Sequence, residues 1–239
     1  VQELQPCEES ALLADGAPMD VAFTKIDTTM REDGAIHWCA WRDSLEEAQP
    51  VLDALASGRL RTVSGLPSMM VAESKRALAL LFEDDVRSHF DAAQRAAVDR
   101  SVARTTRLEA EPALRLWHPD EVVRDKDRFV LKTLIDTRGR GVHIGREHDP
   151  RDWAALVRQA CEGRMVVQEY IPPRMEALEI EPDRRVEMST VLALYLYAGR
   201  PTGIFGRASG HAVVNVGNGG VIRPALIVRT GSPDAGARP

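Results

Sequence analysis

An α+β fold in two lobes is what this sequence predicts, and three observations carry it. Helical apolar spacing is concentrated between residues 44 and 100. From Arg128 onward, short apolar runs of strand length flank one well-capped helix. Arg185 to Tyr197 then reads as a long strand, which Ala198-Gly199-Arg200-Pro201 turns back onto Thr202–Arg207 as an antiparallel partner. With 44% hydrophobic and 28% charged residues, the chain has enough apolar material for a real core.

In order along the chain, Val21–Ile26 alternates and predicts a strand. Ser44 and Glu47 have capping-box spacing, Pro50 predicts a late start or a kink in the helix they open, and Gly58 would end it. Leu60–Val63 is a short strand. Val71–Phe82 is a helix with Leu78, Leu80 and Leu81 on its apolar face, and Asp84–Arg100 is a more exposed one. Thr106–Asp120 connects to the next subdomain. Arg128–Leu134 is a strand ending in a glycine-rich turn. Asp149, Pro150 and Asp152 supply an N-cap, a first-turn proline and an N3 carboxylate for a helix that runs to Cys161 and closes at Gly163. Met165–Tyr170 is a further strand. Residues 231–239, rich in Gly, Pro and Ala, read as a disordered tail.

Bulk properties exclude some functions. A net charge of −5 is not the basic footprint of a nucleic-acid binder. Cys7, Cys39 and Cys161 are odd in number and match no zinc spacing, which fits a reducing, cytoplasmic setting. No apolar run approaches the ~18 residues of a membrane span. The first residue is Val1 and the sequence opens in mid-flow, which suggests a missing upstream domain. A homodimer is the alternative expectation to that missing domain.

Three constellations bear chemistry. The first is Phe129-Val130-Leu131-Lys132 followed by Arg138-Gly139-Arg140-Gly141-Val142. Glycines let backbone N–H groups approach phosphate oxygens, and the lysine adds a point charge. The lysine precedes the glycines, so this is not a Walker loop. Taken alone, the segment is better read as a hairpin with a Gly turn and a solvated lysine. The second is Val166-Val167-Gln168-Glu169-Tyr170-Ile171-Pro172-Pro173, where a proline-stiffened strand end leaves backbone groups that could read an adenine edge. The third is Gly203–Ser209 with Arg207, then Asn215-Val216-Gly217-Asn218-Gly219-Gly220. Arginine can stabilise a transferring phosphoryl group, and asparagine oxygens can ligate magnesium. The plainer reading is two turns and a surface arginine. His143, His211 and the scattered tryptophans suggest structural rather than catalytic roles.

The order of these motifs resembles the ATP-grasp superfamily, most of all the carboxylate–amine ligases related to glutathione and glutathionylspermidine synthetases. The resemblance spans roughly Ser68 to Val228. It implies an α+β ATP-grasp fold whose two lobes, with antiparallel sheets, enclose ATP. Residues 1–59 would end a preceding region, 60–165 form a small linking subdomain and 166–230 a larger one. It implies that Lys75 and Lys132 contact phosphates, and that the loop from Asp136 through Gly139, Arg140 and Gly141 to Val142 folds over them. Gln168, Glu169, Tyr170 and Ile171 would hold adenine, largely through backbone. Arg207 and Lys132 would be catalytic. Thr106-Arg107 matches a pair that many members carry where the next lobe begins. The sequence departs from the family at the metal, because Ser189–Ala198 contains no carboxylate. Glu187 is the nearest, with Asp183 and Glu181 further back, and it would hold magnesium with Asn215 and Asn218.

The expected activity is therefore ADP-forming C–N ligation with ATP and Mg2+, joining a small carboxylate and an amine of amino-acid type through an acylphosphate. Neither nucleic acid nor membrane is expected as a partner. The alternatives are a non-catalytic or split nucleotide-binding module, and an interaction domain that binds no nucleotide.

Overall fold

The computed structural model describes residues 4–6, 12–14, 17–18, 20–22, 28–30, 36–38, 45–63, 65–136 and 139–225. The chain divides into two compact units, Val1–Ile171 and Pro172–Pro239. Both carry antiparallel four-stranded sheets, so the α+β class holds. The sequence boundary between 165 and 166 falls inside a strand that stays with the first unit.

The first unit opens with short strands. β1 (Leu4–Pro6), β2 (Leu12–Ala14) and β3 (Ala17–Pro18) form one small sheet. β4 (Val21–Ala22) is the described part of the expected 21–26 strand, and β5 (Thr28–Met30) pairs with β6 (Ile36–Trp38). α1 (Leu45–Ala56) contains Pro50 without the expected late start, while Ser44 lies outside the described residues. Gly58 follows it with φ +73°, a conformation that L side chains resist. β7 (Arg61–Thr62) runs parallel to β4, and Val51, Ala54 and Leu60 pack there.

The single helix expected over 71–82 is broken in two. α2 (Leu66–Glu73) stops at Ser74, whose backbone is extended, and α3 (Arg76–Leu80) restarts after Lys75. The cause is a tertiary bond: the Lys75 N–H donates to Leu134 O at 2.8 Å, outside any helical ladder. The helix expected over 84–100 is likewise split. α4 (Asp84–Arg87) ends and α5 (Ala92–Ser101) begins on a full capping box, Asp91 with Gln94.

The sheet that matters follows. β8 (Thr105–Thr106), α6 (Pro119–Arg124), β9 (Phe129–Thr133), β10 (Val142–Ile144), α7 (Pro150–Cys161) and β11 (Met165–Glu169) give the strand order β10-β9-β11-β8. Asp149 caps α7 as expected, accepting from the Arg151 and Asp152 N–H groups, and Gly163 follows with φ +80°. One sheet face is packed by Phe129, Leu131 and Val167 against Val122, Trp153, Val157 and Ala160. Trp153 is fully buried, and its Nε1 donates to Val122 O at 2.9 Å, so its polar edge is satisfied as its rings fill the core. The period-2 alternation of β9 and β11 sends Val130, Lys132, Val166 and Gln168 to the opposite face.

The second unit is one meander, β12-β13-β14-β15. β12 (Arg174–Glu181), not anticipated from the sequence, turns through Pro182 and Asp183, the latter at φ +63°. β13 (Arg184–Tyr197) and β14 (Arg200–Ser209) form the expected long hairpin. Ala198 and Gly199 sit at φ +48° and +74° in its tip, the positive-φ pair that matches strand twist. β15 (Val221–Pro224) closes the sheet. The 231–239 tail lies outside the described residues. No described helix is long and apolar enough to cross a membrane.

Candidate functional site

Lys132 and Lys75 reach the same end of the β9–β11 sheet. Lys132 leaves β9 on the face away from Trp153. Its cross-strand neighbours are Val142 on β10 and Val166 on β11. Lys75 is brought there by the broken helix. Its backbone N–H is tied to Leu134 O, and its Nζ donates to Asp136 O at 3.0 Å. Ala79 of α3 packs with Leu134, Ile135 and Val166, so an apolar floor lies beside the lysines.

The electrostatics are those of a cation pair in which only Lys75 has carboxylates nearby, Asp136 and Glu73. Burial pushes the Lys132 ammonium below its ordinary value, and the Lys75 charge pushes it further down. Burial also lowers Lys75, partly countered by Asp136 and Glu73. The bonded partner of Lys132 is neutral: Nζ donates to Gln168 Oε1 at 2.6 Å. The amide orientation is fixed in turn, because Gln168 Nε2 donates to Thr105 Oγ1 at 2.9 Å and Thr105 Oγ1 donates to Ala103 O at 2.9 Å. Gln168 and Thr105 are both buried. Thr105 was not singled out by sequence reasoning, because a two-residue strand offers no alternation to detect.

The loop after β9 divides into structural and open parts. Thr133 N–H donates to Gly141 O at 2.9 Å, closing the β9–β10 hairpin. Gly141 sits at φ +63°, and a Cβ there would come within 2.0 Å of Thr133 Oγ1. Its glycine is thus required by the hairpin itself, whatever binds nearby. Gly139 has φ +77°, and Arg140 Nε pairs with Asp136 at 3.1 Å. Arg138 lies outside the described residues.

The strand end after Gln168 is partly occupied. Glu169 N–H donates to Arg104 O and Tyr170 N–H to Arg128 O, each at 2.8 Å. Those two amides are taken, which leaves Ile171 N–H without an acceptor among the described residues. The Tyr170 ring lies 4.1 Å under the Arg146 guanidinium. Thr106 is buried and its Oγ1 accepts from Leu116 N–H, while Arg107 pairs with Glu83 at 2.6 Å. Thr106 thus anchors the segment after β8, and Arg107 ties that segment to the residue that precedes α4.

In the second unit, register places Glu187 and Arg207 on one face of the sheet, since Ser189 pairs with Ser209 and Val191 with Arg207. Glu187 lies four residues before Val191, about 13 Å along the strand at ordinary rise. It is exposed, and Arg207 lies 4.8 Å over the Phe205 ring. Asn215 Oδ1 accepts from Gly217 N–H at 2.7 Å, capping a short 3-10 turn. The Asn218 side chain is outside the described residues. Among the described residues no cluster of three His, Cys, Asp or Glu side chains could hold a metal. These donors alone do not build a magnesium site, because Glu187 is solvated and Asn215 is engaged as a cap.

No family model matches the sequence, and no curated protein is significantly similar to it.

Proposed function

We propose that this chain is the nucleotide-binding part of an ATP-dependent carboxylate–amine ligase of ATP-grasp type. The observation that carries the reading is the Lys75–Lys132 pair: two partly buried ammonium groups converge, and the one on β9 is bonded to an amide, not a carboxylate. Lys132, removed from water beside a second ammonium and a neutral amide, carries a cost that an incoming polyanion relieves. A triphosphate is the ligand this arrangement serves best. The open Ile171 amide suits the hydrogen-bonding edge of a base.

In the proposed reaction a carboxylate oxygen attacks the γ-phosphorus and ADP leaves, forming an acylphosphate. An amine then attacks the acyl carbon and phosphate leaves. Lys75 and Lys132 hold and neutralise the phosphates, so their part is positioning and charge compensation. Magnesium would arrive with ATP, whose oxygens and waters would supply most of its ligands. The role that the family resemblance gives Arg207 rests on the second unit and has its own test, Arg207→Ala, which should lower turnover more than ATP affinity.

A non-catalytic nucleotide-binding module is the second reading, favoured by the carboxylate-free 189–198 run and by the engagement of Asn215 as a cap. Calorimetry with MgATP and an ADP-release screen over amino acids and amines separate the two. Binding with acceptor-dependent ADP release supports the ligase, binding without release supports the module, and no binding defeats both.

A further inference from the structure

We propose that the second unit carries a binding site for a small organic carboxylate with an aliphatic body. A cavity of about 480 Å³ lies on one face of the meander, within the range of small-molecule pockets. Register puts its main residues on a single face: Arg174 opposite Thr190, Leu192 opposite Gly206, and Gly206 opposite Arg223. Gly206 keeps the floor low, since a Cβ there would come within 3.3 Å of the Arg223 side chain.

The charge in this cavity is unbalanced. Arg174 and Arg223 present their side chains to it, against the single carboxylate of Glu176, while Arg207, the cross-strand partner of Val191, belongs to the opposite face. Glu176 is held on both sides: Oε1 pairs with Arg174 Nε at 3.1 Å, and Oε2 accepts from Arg223 Nη1 at 3.0 Å. Each oxygen engages one guanidinium, so Glu176 aims the two forks, and its single charge offsets one of the two. The terminal N–H groups of Arg174 and the Nε and Nη2 of Arg223 have no acceptor among the described residues. Planar guanidinium edges match a carboxylate in bidentate fashion. The remaining wall on this face is apolar, with Leu192 and Ile204. A bare inorganic anion would leave that wall wet, whereas a branched aliphatic acid covers it while its head group meets the arginines.

The site lies in the second unit alone and does not rest on the nucleotide reading. The test uses the whole chain, with calorimetry and NMR of arginine side-chain N–H groups. The probes are 4-methylpentanoate, 4-methylpentanamide and inorganic phosphate. The carboxylate is expected to bind and to shift the Arg174 and Arg223 signals, with the amide and phosphate each at least about tenfold weaker. Arg223→Ala and Arg223→Lys should both weaken binding by about tenfold or more, because lysine keeps the charge but loses the fork. If Arg223→Ala fails to fold, Leu192→Asp at an exposed position keeps the test open and should repel the acid. No binding by the wild type overturns the site. So does equal binding of the amide, equal binding of phosphate, or wild-type affinity in Leu192→Asp or in a folded Arg223→Ala.

Discussion

Lys132 donates to the Gln168 side-chain carbonyl 2.6 Å away, so a partly buried ammonium is held by a neutral group and keeps its charge available. The arrangement costs stability when no ligand is present. Both burial and Lys75 lower the Lys132 pKa from the ordinary lysine value of 10.5. Between the lowered pKa and 10.5 the unfolded chain binds a proton that the folded chain does not. Stability therefore rises with pH through that window, and the penalty is fully present below it. Lys132→Met is expected to melt at a higher temperature than wild type at pH 7 and to lose part of the alkaline rise. It should also lose most of the stabilisation by MgATP, a deficit on the order of 1.5–3 kcal/mol for a charge-assisted phosphate contact. Thermal melts across pH, with and without MgATP, check all three.

Gln168→Glu makes the sharpest test of why the acceptor is neutral. A carboxylate there would pair with Lys132, raise its pKa and cancel the charge offered to phosphate. The variant is expected to fold, to bind MgATP at least about tenfold more weakly, and to show reduced affinity through KM as well as kcat. Gln168→Leu leaves Lys132 uncancelled but unheld, and Thr105 Oγ1 without its donor. It should therefore lose stability as well as affinity. Equal MgATP affinity in Gln168→Glu and wild type would remove Lys132 from the phosphate site.

Gly141 is expected to matter for folding before it matters for any ligand. Its φ of +63° and the 2.0 Å approach of a Cβ to Thr133 Oγ1 mean that Gly141→Ala must distort the β9–β10 hairpin. A cost on the order of 1–3 kcal/mol follows from positive φ and steric overlap. Thr133→Ala in that background removes the nearest atoms and should recover part of the loss. Denaturant melts of the two single variants and the double variant measure the coupling.

The extent to which this site could be read from the sequence follows from what each signal depends on. The strands that carry Lys132 and Gln168 are long enough to alternate, so both strands were legible, as were the Asp149 cap and the β13–β14 hairpin, whereas the bond between the two side chains was not. Lys75 was found on a family resemblance, but its helix was misread as continuous. What breaks the helix is a hydrogen bond to Leu134, far along the chain, and no local propensity reports that. β8 and β10 are two and three residues long, too short for period-2 alternation to show. β12 escaped notice because its apolar residues, Met175, Ala177, Leu178 and Ile180, break strict alternation and most of them are exposed. Glu176 and Arg223 sit far apart in sequence and meet only across the meander, so the second cavity had no sequence signature.

The magnesium question turns on Asn215, whose two possible jobs can be separated. Its Oδ1 already accepts from the Gly217 N–H, and the loop it organises is tight, because a Cβ on Gly220 would come within 2.6 Å of Asn215 O. Asn215→Ala removes the cap and any metal contact together, so a loss of activity there would decide nothing. Asn215→Asp keeps an acceptor for Gly217 and adds a negative charge. If Asn215 contributes to magnesium, the aspartate should lower the magnesium concentration needed for turnover, because a carboxylate is the stronger ligand for a hard cation. If Asn215 is only a cap, Asn215→Asp should match wild type in both stability and magnesium response, as Asp and Asn cap comparably. Glu187→Gln runs beside it. Glu187 is exposed and roughly 13 Å along the strand from Val191, the cross-strand partner of Arg207, so its loss should leave stability unchanged. A raised magnesium requirement in Glu187→Gln together with a lowered one in Asn215→Asp would establish both as ligands. Wild-type magnesium curves in both variants would remove both from the metal and leave the non-catalytic module as the better account of the second unit.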